Sequence, residues 1–148
     1  MKDIVILYHA ECPDGFGAAW AAHKKFGDKA EYIGVSHDEP VPSGLEGKEV
    51  YFVDFSYSEE IIKHLIKTNK RVTTIDHHFT REAATKMTQD YSYSTNNSGS
   101  VLTWRYFHKD KPVPKLLEYV EDRDLFKFAL PDSRATCTFI DISNNHFR

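Results

Sequence analysis

Apolar positions along the chain alternate between short continuous runs and stretches with three- and four-residue spacing. Ile4–Tyr8 is a dense apolar run that reads as a buried strand. Directly after the Cys12-Pro13-Asp14-Gly15 turn, Phe16, Ala19, Trp20, His23 and Phe26 recur at helical spacing. Asp14 stands where an N-cap belongs and Gly27 where a C-cap belongs. A second strand is expected over Glu31–Ser36, followed by a loop from Asp38 to Lys48 that carries two prolines and two glycines. Val50–Phe55 is a third strand interrupted only by Asp54. Ser58 is placed to cap a helix with Ile61, Ile62, Leu65 and Ile66 on one stripe. Arg71–Ile75 is a fourth strand, Arg81–Met87 a short helix, and Tyr91–Tyr93 an edge strand. A polar break at Asn96–Ser100 precedes a helix through Val101, Leu102, Arg105 and Tyr106, and another helix follows over Val113–Val120. Leu130–Arg148 has too weak a pattern to place.

Strands alternating with helices imply βαβ units. The expected fold is therefore α/β, a Rossmann-like three-layer domain whose mostly parallel sheet of about five strands carries helices on both faces. The chain of 148 residues suffices for one such domain, so residues 1–148 are read as a single unit. In these folds the ligand crevice lies at the carboxyl ends of the strands. The metal-capable side chains fall there. The first strand runs into His9 and Asp14, the third ends at Asp54, and the fourth ends in Asp76-His77-His78. Taken singly, Asp14 is a cap, Asp54 a turn residue and His9 an ordinary histidine. Their convergence on one sheet edge makes a shared cation site the better reading, because a carboxylate buried in Tyr51-Phe52-Val53-Asp54-Phe55-Ser56 needs compensation. His23, His64 and His108 lack acidic partners at ligand spacing, His37 lies with Asp38 at a strand-to-loop junction and His146 in the tail, and all five stay outside the expected site.

Composition narrows the chemistry. The net charge of −3 argues against a nucleic-acid binder that relies on a broad basic face. Two cysteines, Cys12 and Cys137, are too few for a disulfide framework and suit reduced thiols in the cytoplasm. No apolar stretch reaches the length of a membrane span, and the N-terminus lacks a signal-peptide pattern. Carboxylates with one or two imidazoles favour a hard or borderline divalent cation, manganese or magnesium before zinc. Two such ions can stabilise both oxygens of an in-line displacement at phosphorus. A second histidine beside a ligating one is then free to meet the phosphate.

The segments His9-Ala10-Glu11-Cys12-Pro13-Asp14-Gly15, Val53-Asp54-Phe55-Ser56 and Ile75-Asp76-His77-His78 resemble the first three motifs of the DHH phosphoesterase superfamily. Val120-Glu121-Asp122-Arg123-Asp124 resembles the fourth. The CPDGFGAAW form of the first motif is similar to the branch of nano-RNA oligoribonucleases. The resemblance implies a catalytic domain with two divalent ions, manganese foremost and magnesium as the alternative. His9, Asp14, Asp54, His77 and one of Asp122 or Asp124 would be ligands, Asp54 bridging. It also implies catalytic roles for His77, His78 and Asp76, with Asp76 orienting the ligands and His78 touching substrate phosphate. Ser98 and Gly99, in the Ser98-Gly99-Ser100 turn, would border the substrate, although the same turn reads equally as an ordinary helix start. Glu11 reads as a loop residue.

The implied activity is hydrolysis of phosphodiester or phosphomonoester bonds in short oligonucleotides or nucleotides, with no membrane partner. Family members usually continue into a glycine-rich substrate-binding domain, which this sequence lacks. A homodimer would be one way to complete the cleft. The competing reading is a truncated or degenerate lobe that binds metal or nucleotide without turnover.

Overall fold

The computed structural model describes residues 1–36 and 38–134. Five strands and five α-helices make up its main elements. They are β1 (Ile4–His9), α1 (Pro13–Phe26), β2 (Ala30–Val35), β3 (Glu49–Val53), α2 (Glu59–Thr68), β4 (Arg71–Asp76), α3 (Glu82–Lys86), β5 (Asp90–Tyr93), α4 (Gly99–Phe107) and α5 (Lys115–Asp124). The strands form one sheet in the order β2-β1-β3-β4-β5, and every neighbouring pair is parallel. The expected α/β three-layer fold is what the chain adopts, with a sheet parallel throughout.

Side-chain alternation along the central strands builds the layers. Val5 and Leu7 of β1, Val50 and Phe52 of β3 and Val72 of β4 face one side, where Ile62 and Leu65 of α2 and Ala84 of α3 cover them. Ile6, Tyr51, Val53 and Ile75 face the other, against Ala18 and Ala22 of α1 and Leu102 of α4. A third apolar cluster, with Ala21, Val101, Trp104 and Leu117, fixes α5 to the outside of α1 and α4. The Trp20 and Trp104 rings stack there at 5.6 Å. Phe52 is fully buried. Burying a side chain of this kind contributes about 1.5–3 kcal/mol, and cutting it back to alanine costs about 3–5 kcal/mol because a cavity remains.

Several boundaries differ from the sequence expectation, each for a local reason. α1 begins at Pro13, whose missing N–H and fixed φ suit a first helical position. Asp14 therefore lies inside the first turn and does not cap its own helix. α5 begins two residues later than expected, with Pro114 at its cap position, and it runs on to Asp124. The fourth motif thus lies on the last turn of a helix. Ser58 stands at the cap position of α2 without a side-chain capping bond. No helix of the described residues is long and apolar enough to cross a membrane.

The chain reverses its direction of winding between β1 and β3. β2 lies to one side of β1 and all later strands to the other. The crevice outside the carboxyl ends of β1 and β3 is where such sheets bind ligands, and β4 adds its own end beside them.

Candidate metal centre

Each strand of the central three delivers its polar residues at its carboxyl end. β1 terminates in His9. β3 stops at Val53, and Asp54 follows with φ 65, a left-handed conformation uncommon outside glycine. Its N–H donates to the Ile75 carbonyl at 2.9 Å, holding this strained residue against β4. β4 terminates in Asp76, and His77 and His78 leave the strand together.

These residues meet helix ends. Gly15 of α1 lies against the end of β1, so close that a β-carbon there would collide with the His9 carbonyl. This contact lowers the first turn of α1, and with it Asp14, onto the sheet edge. Asp14 is 1% exposed. Its two oxygens accept the N–H groups of Gly99 and Ser100, both at 2.8 Å. It therefore caps α4 from another element, satisfying donors that a helix start leaves open. Ser98 occupies the cap position itself, and its Oγ accepts the Val101 N–H at 3.3 Å. Glu121 of α5 accepts the Ser98 N–H at 2.8 Å and ties the same turn to the last motif.

His77 is the hub. Its Nε2 lies 3.1 Å from Asp54 Oδ1, 3.4 Å from Asp14 Oδ2 and 3.5 Å from Asp124 Oδ2. The other Asp54 oxygen, Oδ2, faces His9 Nδ1 at 3.7 Å. Asp76 is fully buried. Its Oδ1 accepts the His77 N–H at 2.8 Å and lies 2.7 Å from His78 Nδ1. Three overlapping donor groups result, each with atoms within 4.8 Å of one another. They are Asp54, Asp76, His77 and His78; His9, Cys12 and Asp54; and Asp14, His77 and Asp124.

The electrostatics describe a cluster held together by protons. Burial alone would push the Asp54 carboxyl up, but the neighbouring His77 and His9 imidazoles outweigh it and hold it at about 2. His9 is raised to about 10, chiefly by Asp54 and then by Cys12. Burial works against charging His77, yet Asp54, Asp14 and Asp124 raise it to about 9. Burial and the nearby Asp54 and Asp124 push Asp14 well up, and burial also raises Asp124. The hydrogen bond to Asp76 raises His78. Three carboxylates around one imidazole cannot all ionise without positive charge among them.

Within the cluster, three buried polar atoms have no hydrogen-bond partner: Asp54 Oδ1, Asp76 Oδ2 and His77 Nε2. The ion-pair distance between His77 and Asp54 is short enough, but its geometry does not make a hydrogen bond. Orphaned donors and acceptors of this kind are costly in a protein interior. A divalent cation among them would satisfy acceptor atoms from both sides, so the residues fit one.

The structure sorts the sequence candidates. His9, Asp14, Asp54, Asp76, His77, His78 and Asp124 come together. Asp122 does not. Its two oxygens accept the backbone N–H groups of Ala129 and Leu130, at 2.9 and 3.1 Å, and close the turn after α5. Ser98 and Gly99 lie at the start of α4, beside the cluster. Both are buried, and their N–H groups and the Ser98 hydroxyl are engaged with Glu121, Asp14 and the Val101 N–H. Glu11, exposed and with φ 63, joins none of the donor groups. Among the histidines outside the expected site, His108 bonds the Ala21 carbonyl at 2.9 Å and His23 packs on Tyr32. His37, His146 and Cys137 lie outside the described residues.

Two features have no counterpart in the sequence pattern. Cys12 stands within the His9 group. A cavity of about 490 Å³ opens beside the cluster, lined by His9 and His78 together with Phe55, Tyr57, Thr80 and Arg81 among others.

No family model matches the chain. The chain is 32% identical, over 152 aligned residues, to an uncharacterised protein of Acanthamoeba polyphaga mimivirus. That alignment takes in 91% of this chain but 36% of the viral protein. A crystal structure of an uncharacterised protein from Helicobacter pylori superimposes with a TM-score of 0.69 at 14% identity. It matches 87% of this chain and 45% of that one. At such identity the likeness shows the fold alone. The chain spans less than half the length of either protein.

Proposed function

We propose that this chain is the catalytic lobe of a DHH-type phosphoesterase, using two divalent ions, manganese before magnesium, to hydrolyse short nucleotidic substrates. The observation that carries the reading is Asp54. It is buried and strained, and its two oxygens are directed to His9 on one side and His77 on the other. A carboxylate in that position is suited to bridging two cations. His9 and Asp54 would hold one, and Asp14, Asp54, His77 and Asp124 the other. When bound, such a pair supplies electrostatic stabilisation to the attacking and leaving oxygens of an in-line displacement.

The remaining roles belong to the chain. Asp76 fixes the His77 backbone and the His78 ring at once, so the two imidazoles are held in a set relation. With Nδ1 engaged by Asp76, His78 has Nε2 left to donate to a phosphoryl oxygen. The hydrogen bond to Asp76 raises its pKa and so favours the protonated ring, a donor suited to developing negative charge. The adjoining cavity has the volume of a small-ligand site. Phe55 and Tyr57 offer it aromatic surface that suits a nucleoside base, and Arg81 supplies a cation in a lining that also holds the Asp38 and Glu39 carboxylates. We assign the protein to the cytoplasm on its reduced-thiol composition.

The test is hydrolysis of a chromogenic phosphodiester with manganese, comparing wild type with His77→Ala and Asp54→Ala. The reading expects turnover in wild type and none above background in either variant. Equal rates in all three would refute it. Metal-dependent thermal stabilisation without turnover would favour the alternative, a non-catalytic metal-binding lobe.

A further inference from the structure

The His9 half of the cluster contains a donor that a hard-cation site does not call for. Cys12 directly precedes α1, with extended backbone (φ −127, ψ 130), and its thiol is free and half-buried. Its sulfur, a His9 ring nitrogen and an Asp54 oxygen all lie within 4.8 Å of one another. Donors that share one ion through bonds of about 2.0–2.3 Å stand roughly 3–4 Å apart. Small side-chain rotations therefore suffice to bring these three onto a common ion.

Asp54 is shared between the two halves of the cluster. This carboxylate is 1% exposed; its Oδ2 is directed at His9, while its Oδ1, which has no hydrogen-bond partner, is directed at His77 on the other side. The unsatisfied carboxylate thus separates two unlike donor sets. On one side stand an imidazole and a thiol. On the other, Asp14, His77 and Asp124 supply carboxylates and one imidazole.

We propose that Cys12 is a thiolate ligand to a metal ion held with His9 and Asp54, making the two halves of the centre chemically different. The inference rests on the metal-centre reading above. Thiolate donors select zinc, cobalt or iron over manganese and magnesium, whereas carboxylate-rich sets suit the harder ions. The His9 half therefore prefers a borderline ion, which revises the manganese assignment above for that one position, and the Asp14–Asp124 half keeps manganese or magnesium. Ligation replaces the S–H bond by a sulfur–metal bond and releases one proton to solvent. The sequence order His-x-x-Cys-Pro-Asp accounts for the geometry. Pro13 starts the helix, so the residue before it stays outside the first turn, beside the end of β1.

The experiment is a titration of the full chain with cobalt(II), followed by absorption spectroscopy. A thiolate-to-cobalt charge-transfer band in the near ultraviolet is expected in wild type and in Cys137→Ser. It is expected to vanish in Cys12→Ser, which keeps visible cobalt bands from the remaining ligands. Zinc should displace cobalt from wild type at concentrations on the order of 10–100-fold lower than from Cys12→Ser, at least the loss seen when groups outside the first ligand set are removed. Visible bands without charge transfer in wild type would overturn the thiolate assignment and leave the metal centre standing. A band that survives Cys12→Ser and disappears in Cys137→Ser would overturn it too. No cobalt absorption of either kind would overturn both this inference and the metal-centre reading. Should Cys12→Ser not fold, alkylation of wild type decides the matter: cobalt must protect Cys12 from the reagent, and unchanged labelling refutes the proposal.

Discussion

The Asp54 carboxylate lies so close to Gly99 that residue 99 has no room for a β-carbon. A methyl group there would meet the Asp54 side chain inside van der Waals contact. Gly99 also donates its N–H to Asp14, so one residue at the start of α4 touches two proposed ligands. Its backbone is not in the left-handed region, so the demand for glycine is steric. Gly99→Ala should gain at most about 1 kcal/mol from helix propensity and lose about 1–3 kcal/mol to overpacking. The net expectation is a destabilised protein in which manganese raises the melting temperature less than in wild type. Urea unfolding with and without manganese measures both effects, and a fully stable variant with undiminished metal response would contradict the packing argument.

Much of this arrangement is legible in the chain. The strand-terminal positions of His9, Asp54 and Asp76-His77-His78 follow from where apolar runs stop, and the parallel sheet follows from the alternation of strand and helix. Other parts depend on tertiary contacts that spacing does not encode. Asp14 looks like a cap, and it is one, but for α4, some 85 positions away in sequence. The choice between Asp122 and Asp124 turns on the phase of α5. Residues two apart on a helix point roughly 200° apart, so one can reach the cluster while the other closes the following turn. A proline at position 114 shifts the helix start, and the phase is fixed only by the packing of Leu117 and Val120. Cys12 is hidden for a simpler reason: a thiol count speaks to disulfides and says nothing about proximity to His9.

Without metal, the protein should lose stability as pH rises above neutral. His9 and His77 have folded pKa values of about 10 and about 9, above the ordinary 6.5. Their contribution is complete below about 6.5 and is lost as pH climbs through 9 to 10. The raised Asp14 and Asp124 carboxyls act in the same direction, since folding favours their protonated forms and stability fades above the ordinary 3.8. Asp54 acts oppositely: its contribution is present above 3.8 and disappears as pH falls toward about 2. Thermal midpoints of the metal-free chain should therefore decline between about pH 6.5 and 9.5. Manganese should flatten or reverse that decline, because cations take the place of the displaced protons. A metal-free midpoint that rises over this range would show that the cluster is not held by protons.

His78 and His77 should separate kinetically. His78 is the more exposed of the two, lines the cavity and is held by Asp76. His78→Ala should lower kcat by about 10²–10³, the loss typical of one positioned donor to a developing negative charge. Metal-induced thermal stabilisation should persist. His77→Ala should abolish both, since its Nε2 faces three carboxylates. Parallel calorimetry and turnover assays on the two variants test the split. Loss of metal response in His78→Ala would make it a ligand instead.

Asp122 and Asp124 are two residues apart and should fail in different ways. Asp124→Asn leaves the described helix contacts in place and removes a charge 3.5 Å from His77 Nε2. Its melting temperature without metal should be unchanged or higher, because a carboxyl raised by burial and by neighbouring Asp54 gives way to a neutral amide. Its response to manganese should be lost. Asp122→Ala removes the acceptor of the Ala129 and Leu130 N–H groups. Losing two part-buried hydrogen bonds costs about 0.5–1.5 kcal/mol each, so this variant should melt earlier while still responding to manganese. A calorimetric scan of each protein with and without the metal distinguishes the two roles. Should Asp122→Ala lose the metal response and Asp124→Asn retain it, the assignment of the fourth motif to Asp124 would be reversed.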